Sequence, residues 1–216
     1  MNNYQIYSGF CRTIDTQKYG GMTADEWYDI WWKNTTTQEH TYINIFGPDT
    51  PINQSARQIA EYPNLGYIGD YIHGKLHGKW CGWSAGVVFG MMHAYINQVD
   101  FLYKEQDCLW FGDGIIDQMY KEIGDKDIIF GSCKLMAHAQ SLFLVKRDAI
   151  PDIISQLAQN DDSKVLPEAK FGKLMNSTKL SFGYDRDRPF NMSDRYWYIQ
   201  QVSETELNIL QENKLL

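Results

Sequence analysis

At 216 residues, with 44% hydrophobic and 22% charged residues, the chain can bury a sizeable core without covalent staples. Its formal net charge of −7 excludes a general nucleic-acid binder, which carries a basic excess. No run of about 18 apolar residues exists to span a membrane, and four scattered cysteines with no CxxC pair exclude a structural zinc of that type.

The residues after Met1 lead straight into a strand-like run without a secretory hydrophobic region, so a cytoplasmic, reducing setting is expected. Seven Trp and fourteen Tyr make an aromatic-rich chain. Most of these rings read as core, although such rings also serve as platforms for sugars and bases.

The first apolar run, 4–11, reads as a central strand. Thr23 and Glu26 then form a capping box, and Trp27, Ile30 and Trp31 fall on one helical stripe, predicting a helix over 23–33. A second strand is expected over 41–46, stopped by Gly47-Pro48. A short helix is expected over 55–61 and a third strand over 65–68. Residues 69–82 read as a loop.

The next helix carries Trp83, Val87, Val88, Met91, Met92 and Tyr95 at helical spacing. Gly82, Gly86 and Gly90 form a second stripe, which costs about 1 kcal/mol per residue against alanine. Close approach to a sheet or a ligand would offset that cost. Residues 99–103 (VDFLY) are the best candidate for a central strand, and they lead directly into Lys104-Glu105-Gln106-Asp107.

Later elements are a helix over 113–123, strands over 127–132 and 141–145, and a helix over 148–157. A polar loop over 160–164 follows, then a helix over 167–175 opened by Pro167. The tail from 180 to 204 reads as irregular, with a strand-like stretch at 196–202. Alternating strands and helices imply a largely parallel sheet covered on both faces.

In open α/β sheets, ligands sit beyond the carboxyl ends of the strands. Glu105 and Asp107 lie just past such an end, two residues apart on an extended turn. Both carboxylates can face one cavity and hold a hard divalent cation through oxygen. An ordinary surface turn is the alternative. No GxSxG elbow, P-loop or dinucleotide fingerprint is present.

The run VDFLYKEQDCLWFGDG (99–114), preceded by the helix GWSAGVVFGMMHAYIN (82–97), resembles the centre of GT-A-type glycosyltransferases. There a helix leads into a strand ending in an Asp-x-Asp motif that holds Mn²⁺ or Mg²⁺ and a sugar nucleotide. In this chain the motif is Glu105-Gln106-Asp107, with Glu in place of the first Asp. The order of elements matches over roughly residues 4 to 145.

The resemblance implies a GT-A-like α/β fold: a mixed, mostly parallel sheet flanked by helices. It implies a single domain over 1–216, with a nucleotide-sugar-binding half over about 1–112 and an acceptor half over about 113–216. The implied activity is metal-dependent transfer of a hexosyl or deoxyhexosyl group from a nucleoside-diphosphate sugar to a hydroxyl of a glycan or glycoconjugate. Glu105 and Asp107 would be the metal and diphosphate residues. Ser8, Gly9 and Arg12, at the first strand end, are assigned to the nucleotide. Asp70 is a candidate for base or ribose, and Lys79 or Lys75 for the diphosphate.

Inverting members of that family place their base at the start of a later helix, which points to Glu168. That position also suits a carboxylate through the helix dipole alone. Arg186 and Arg188, between Gly183 and Pro189, read either as a self-paired turn or as a lid over phosphates. The family's late metal-binding His has no counterpart after His138, which leaves water, His138, Asp185 or Asp187 to complete a metal site. His73 and His77 are four residues apart, but Gly74 and Gly78 argue against a zinc-binding helix there. His40 reads as exposed and His93 as packed.

Trp80, Trp83 and Trp110 are candidates to line the acceptor site. The alternatives are a nucleotidyltransferase of similar topology and a non-catalytic sugar- or nucleotide-binding module.

Overall fold

The computed structural model describes residues 3–9, 19–36, 43–46, 57–60, 81–132, 138–159, 169, 171–183 and 192–216. Among them, one sheet is built from β1 (Tyr4–Gly9), β2 (Ile43–Phe46), β3 (Arg57–Ala60), β4 (Asp100–Lys104), β6 (Ile128–Gly131), β7 (Ala139–Val145) and β8 (Ser177–Lys179). These seven strands lie in the order β3-β2-β1-β4-β7-β6-β8. Pairs β1–β2, β1–β4, β2–β3 and β6–β8 are parallel, while β7 runs antiparallel to both β4 and β6. The sheet is therefore mixed and mostly parallel, as expected. A second, two-stranded sheet pairs β5 (Cys108–Phe111) antiparallel with β9 (Trp197–Gln200).

Helices cover both faces because the central strands are apolar on both. Ile6 and Leu102 point to one side, against α1 (Ala24–Thr36), α3 (Ile115–Ile123) and α5 (Glu204–Glu212). Tyr7, Phe101 and Tyr103 point to the other, against α2 (Cys81–Ile96) and α4 (Ile150–Ala158). This is the period-2 alternation of a strand buried on two sides. Each fully buried large side chain contributes on the order of 1.5–3 kcal/mol.

Helix α1 begins where the capping box predicts. The Thr23 amide donates to Glu26 Oε2 at 2.9 Å, and the Glu26 amide donates to Thr23 Oγ1 at 3.3 Å. Gly86 and Gly90 of α2 are buried, and that helix lies against β1 and β4. Its opposite side carries the exposed Met92, Tyr95 and Ile96. Tyr198 of β9 is held by two glycines. A Cβ at Gly183, whose φ is +121°, would sit 1.9 Å from its ring, and one at Gly131 would sit 2.2 Å from its hydroxyl.

Three expectations are corrected. Residues 57–60 are not helical but form the edge strand β3, because pairing with β2 overrides a weak local helix preference. The helix expected through 175 ends earlier: Gly172 and Lys173 already turn, and the Leu174 amide bonds back to the Phe171 carbonyl. Asn176 then takes a left-handed φ of 56° and the chain enters β8. Finally, β5, β8 and α5 are additional to the elements expected from sequence. Helix α5 starts on a capping box of Ser203 and Glu206. The third strand expected at 65–68 lies outside the described residues.

Candidate functional site

Strand β4 sits at the middle of the sheet, and its carboxyl end is where the acidic turn begins. The Glu105 amide donates to the Ser141 carbonyl at 2.8 Å, so the ladder to β7 runs one residue past β4. The Cys108 amide then donates to the Glu105 carbonyl at 3.0 Å, which closes the turn and starts β5. Three further donors from outside the turn satisfy its carbonyls.

Helix α1 supplies two of them. Trp31 Nε1 donates to the Glu105 carbonyl at 3.0 Å, and Trp27 Nε1 donates to the Gln106 carbonyl at 2.7 Å. These indoles lie four residues apart, hence on one helix face. The third contact comes from the Gln201 amide, which donates to the Asp107 carbonyl at 3.0 Å. Gln106 itself donates through its side-chain amide to the Tyr19 hydroxyl.

With the backbone so held, the two carboxylates converge. Gln200 Nε2, from β9, donates to Glu105 Oε2 and also to Asp107 Oδ1, the latter at 3.3 Å. Asp107 is only 6% exposed and Gln200 only 5%. Burying a carboxylate is costly unless a donor compensates it, and here an amide N–H does so. The two carboxylates supply hard oxygen ligands of the kind Mg²⁺ or Mn²⁺ takes, while the Gln200 amide presents N–H to them and not a ligand oxygen.

Ser8 and Gly9 reach the same edge. Tyr7 pairs with Tyr103, so the last two residues of β1 lie level with the end of β4 and the start of the turn. Ser8 is buried and its hydroxyl donates to the Gly9 carbonyl at 3.4 Å, while Gly9 is half-buried. The structure thus gathers Ser8, Gly9, Glu105 and Asp107 on one sheet edge. Arg12, Asp70, Lys79, Glu168, Arg186 and Arg188 lie outside the described residues, as do His40, His73, Lys75, His77, Trp80, Asp185 and Asp187. Trp83 falls in the first turn of α2.

His138 precedes β7 and packs at a tilt against Phe130, with a centroid distance of 4.6 Å. Burial, with the charge of Lys179, lowers its pKa below the usual histidine value. Its Nδ1 has no hydrogen-bond partner among the described residues. Among those residues, no group of three or more His, Cys, Asp and Glu side chains gathers to hold a metal, so His138 does not join the acidic pair. His93 is half-buried and packed, as expected, with Nδ1 3.0 Å from the Tyr7 hydroxyl.

The expectation that Trp110 lines an acceptor site is corrected. Its side chain is 1% exposed and locked to α1, donating from Nε1 to the Asn34 carbonyl at 3.2 Å. Its amide donates to Asn34 Oδ1 at 3.0 Å, and its carbonyl accepts from Asn34 Nδ2 at 2.7 Å.

Beneath the turn lies Lys104, which is fully buried. Its Nζ donates to Asn34 Oδ1 at 2.8 Å and to Thr35 Oγ1 at 2.6 Å, and it lies over the rings of Trp31 and Trp110 at 5.1 and 4.6 Å. Burial lowers its pKa to about 7, with the nearby Cys108 thiol pushing it back up. Sequence reading passed over both Lys104 and Gln200. A signal existed for the lysine, since alternation along VDFLYK places it on the same inward face as Leu102. Gln200 carried no signal of its own.

No family model matches this chain, and no curated protein matches its sequence. Similar solved structures include a candidate nucleotide-diphospho-sugar transferase from Desulfovibrio desulfuricans, at 12% identity and a TM-score of 0.46, covering 83% of this chain and 80% of that one. The glycosyltransferase GlyE of Streptococcus pneumoniae aligns at 11% identity and a TM-score of 0.43, covering 84% of this chain but only 46% of its own. A candidate glucose-1-phosphate thymidylyltransferase from Bacillus anthracis, in complex with sucrose, aligns at 10% identity and a TM-score of 0.46 over 98% and 94% of the two chains. At these identities and scores the likeness assigns neither family nor activity.

Proposed function

We propose that this chain is a metal-dependent glycosyltransferase of the GT-A type, moving a hexosyl or deoxyhexosyl group from a nucleoside-diphosphate sugar to a hydroxyl of a glycan or glycoconjugate. One observation carries the reading: the carboxylates of Glu105 and Asp107 converge on one point at the carboxyl edge of the central strand, both touching Gln200 Nε2. In this reading the pair holds Mn²⁺ or Mg²⁺, which neutralises the negative charge that builds on the departing diphosphate. The strand end at Ser8 and Gly9 lies beside the nucleotide, where a residue without a side chain permits close backbone approach.

Arg12, Asp70 and Lys79 are assigned to the donor side within residues 1–112, and Arg186 and Arg188 to the phosphates. Glu168 accepts the proton of the acceptor hydroxyl as its oxygen bonds to the anomeric carbon. The bond from that carbon to the diphosphate breaks with its electron pair on the leaving oxygen, so configuration inverts.

A thermal-shift screen of nucleoside diphosphates with and without Mn²⁺ tests the reading. A rise in melting temperature that requires the metal supports it and names the base; no shift with any nucleotide in either condition removes it. Product analysis separates the neighbouring chemistry, because release of pyrophosphate instead of a nucleoside diphosphate makes the chain a nucleotidyltransferase. Glu168→Gln is expected to lower transfer about 10²–10⁴-fold, the usual contribution of a general base, with nucleotide affinity nearly unchanged. Wild-type turnover in that variant takes Glu168 out of the site.

A further inference from the structure

The aim of two carboxylates two positions apart is set by the backbone between them. Peptide units are planar, so the units joining Glu105 to Gln106 and Gln106 to Asp107 fix the relative direction of the two side chains. In this chain each of those two units accepts one indole N–H. Trp31 Nε1 donates to the Glu105 carbonyl at 3.0 Å, and Trp27 Nε1 to the Gln106 carbonyl at 2.7 Å.

The donors are themselves held. Trp27 and Trp31 are 0% and 1% exposed, on one face of α1. Trp27 packs against Tyr19, whose hydroxyl accepts from the Gln106 side chain. A buried indole N–H finds a hydrogen-bond partner in most folds. Here the two partners are consecutive carbonyls, and they belong to the two peptide units that separate the carboxylates.

We propose that Trp27 and Trp31 are positioning residues, whose indole N–H groups orient the acidic turn so that Glu105 and Asp107 close on one divalent cation. The inference rests on the reading of Glu105 and Asp107 as the cation-holding pair, and it goes beyond that reading by assigning the aim of the pair to helix α1. Each indole acts through the backbone and not on the cation itself. Such coupling is reciprocal: bonds that favour cation binding are strengthened when the cation binds.

The test measures Mn²⁺ binding to the full chain by electron paramagnetic resonance, with no nucleotide present. Trp27→Phe and Trp31→Phe each keep a ring in the core and lose the N–H. Each is expected to weaken Mn²⁺ binding about 10–100-fold, the range for losing a group that orients metal ligands. Both variants also lower the melting temperature, so a core variant supplies the comparison. Ile123→Ala opens a cavity in the same apolar cluster from α3; it is expected to lower the melting temperature and to leave Mn²⁺ affinity unchanged. In the wild type, diamagnetic Mg²⁺ is expected to move the indole N–H resonances of Trp27 and Trp31 downfield, the direction of a stronger hydrogen bond.

Wild-type Mn²⁺ affinity in either tryptophan variant, with binding lost in Asp107→Asn, overturns the role of that indole and leaves the acidic pair standing. An equal loss of affinity in Ile123→Ala also overturns the proposal, because affinity then follows stability alone. Absence of Mn²⁺ binding in the wild type overturns both readings. If the tryptophan variants do not fold, the resonances decide alone, and indole signals that stay in place at saturating Mg²⁺ overturn the proposal.

Discussion

Asp107→Asn is expected to leave the fold intact and to lower turnover on the order of 10²–10³-fold, the scale of losing one electrostatic contact at a developing charge. The substitution changes charge with almost no change in volume. The amide oxygen it introduces can still accept from Gln200 Nε2, and the backbone carbonyl at this position keeps its bond from the Gln201 amide. What disappears is a full negative charge at a site only 6% exposed, where water screens little. A neutral amide oxygen is a poorer ligand for a hard cation than a carboxylate. The metal-dependent part of the thermal shift with nucleoside diphosphate should therefore vanish while the metal-free melting temperature stays close to that of the wild type. Steady-state kinetics at saturating donor and circular dichroism check the two halves. Turnover equal to wild type would remove Asp107 from the chemistry.

The second large effect concerns stability, and it belongs to Lys104. An amine in water keeps its proton to a pKa of about 10.4, whereas burial lowers that of Lys104 to about 7 in the folded chain. Between these values the unfolded chain holds a proton that the folded chain has released. Raising the pH through this window therefore favours folding, by up to about 1.4 kcal/mol per pH unit. Below about pH 7 both states are protonated, and the full cost of the buried charge is present. The two indole faces and the hydrogen bonds to Asn34 and Thr35 offset part of that cost. Lys104→Met removes the ionisable group and leaves Asn34 Oδ1 bonded to the Trp110 amide. Urea denaturation of both proteins at pH 7, 8 and 9 should show wild-type stability rising relative to the variant. Parallel pH profiles would mean that the lysine is not titrating in this range, since the difference between the two proteins isolates its contribution.

Both predictions centre on the stretch 103–107, and its features were unequally legible. The acidic turn could be read because its ingredients are neighbours in sequence: an apolar strand, then two carboxylates two positions apart. The helix that supports it was legible too, since Thr23, Glu26, Trp27 and Trp31 mark their own cap and stripe. The task of those indoles was not. A tryptophan at an inward helical position announces burial, and only the position of the turn shows that its N–H meets the carbonyls of Glu105 and Gln106. Residues 57–60 illustrate the opposite case, in which a weak local preference yields to an edge strand's hydrogen bonds.

From its sequence alone this chain declares an α/β sheet with helices on both faces and an acidic turn at the end of its best strand. Those features follow from periodicities and spacings that act within a dozen residues. Tertiary structure alone decided that β7 runs against its neighbours, that β9 leaves the main sheet to pair with β5, and that Gln200 crosses 93 residues to meet Asp107. It also decided that the rings enclosing Lys104, whose inward face the strand alternation already marks, are those of Trp31 and Trp110. Strand pairing and the burial of a charge depend on which distant residues arrive at the same place, and no local pattern of side chains encodes that meeting.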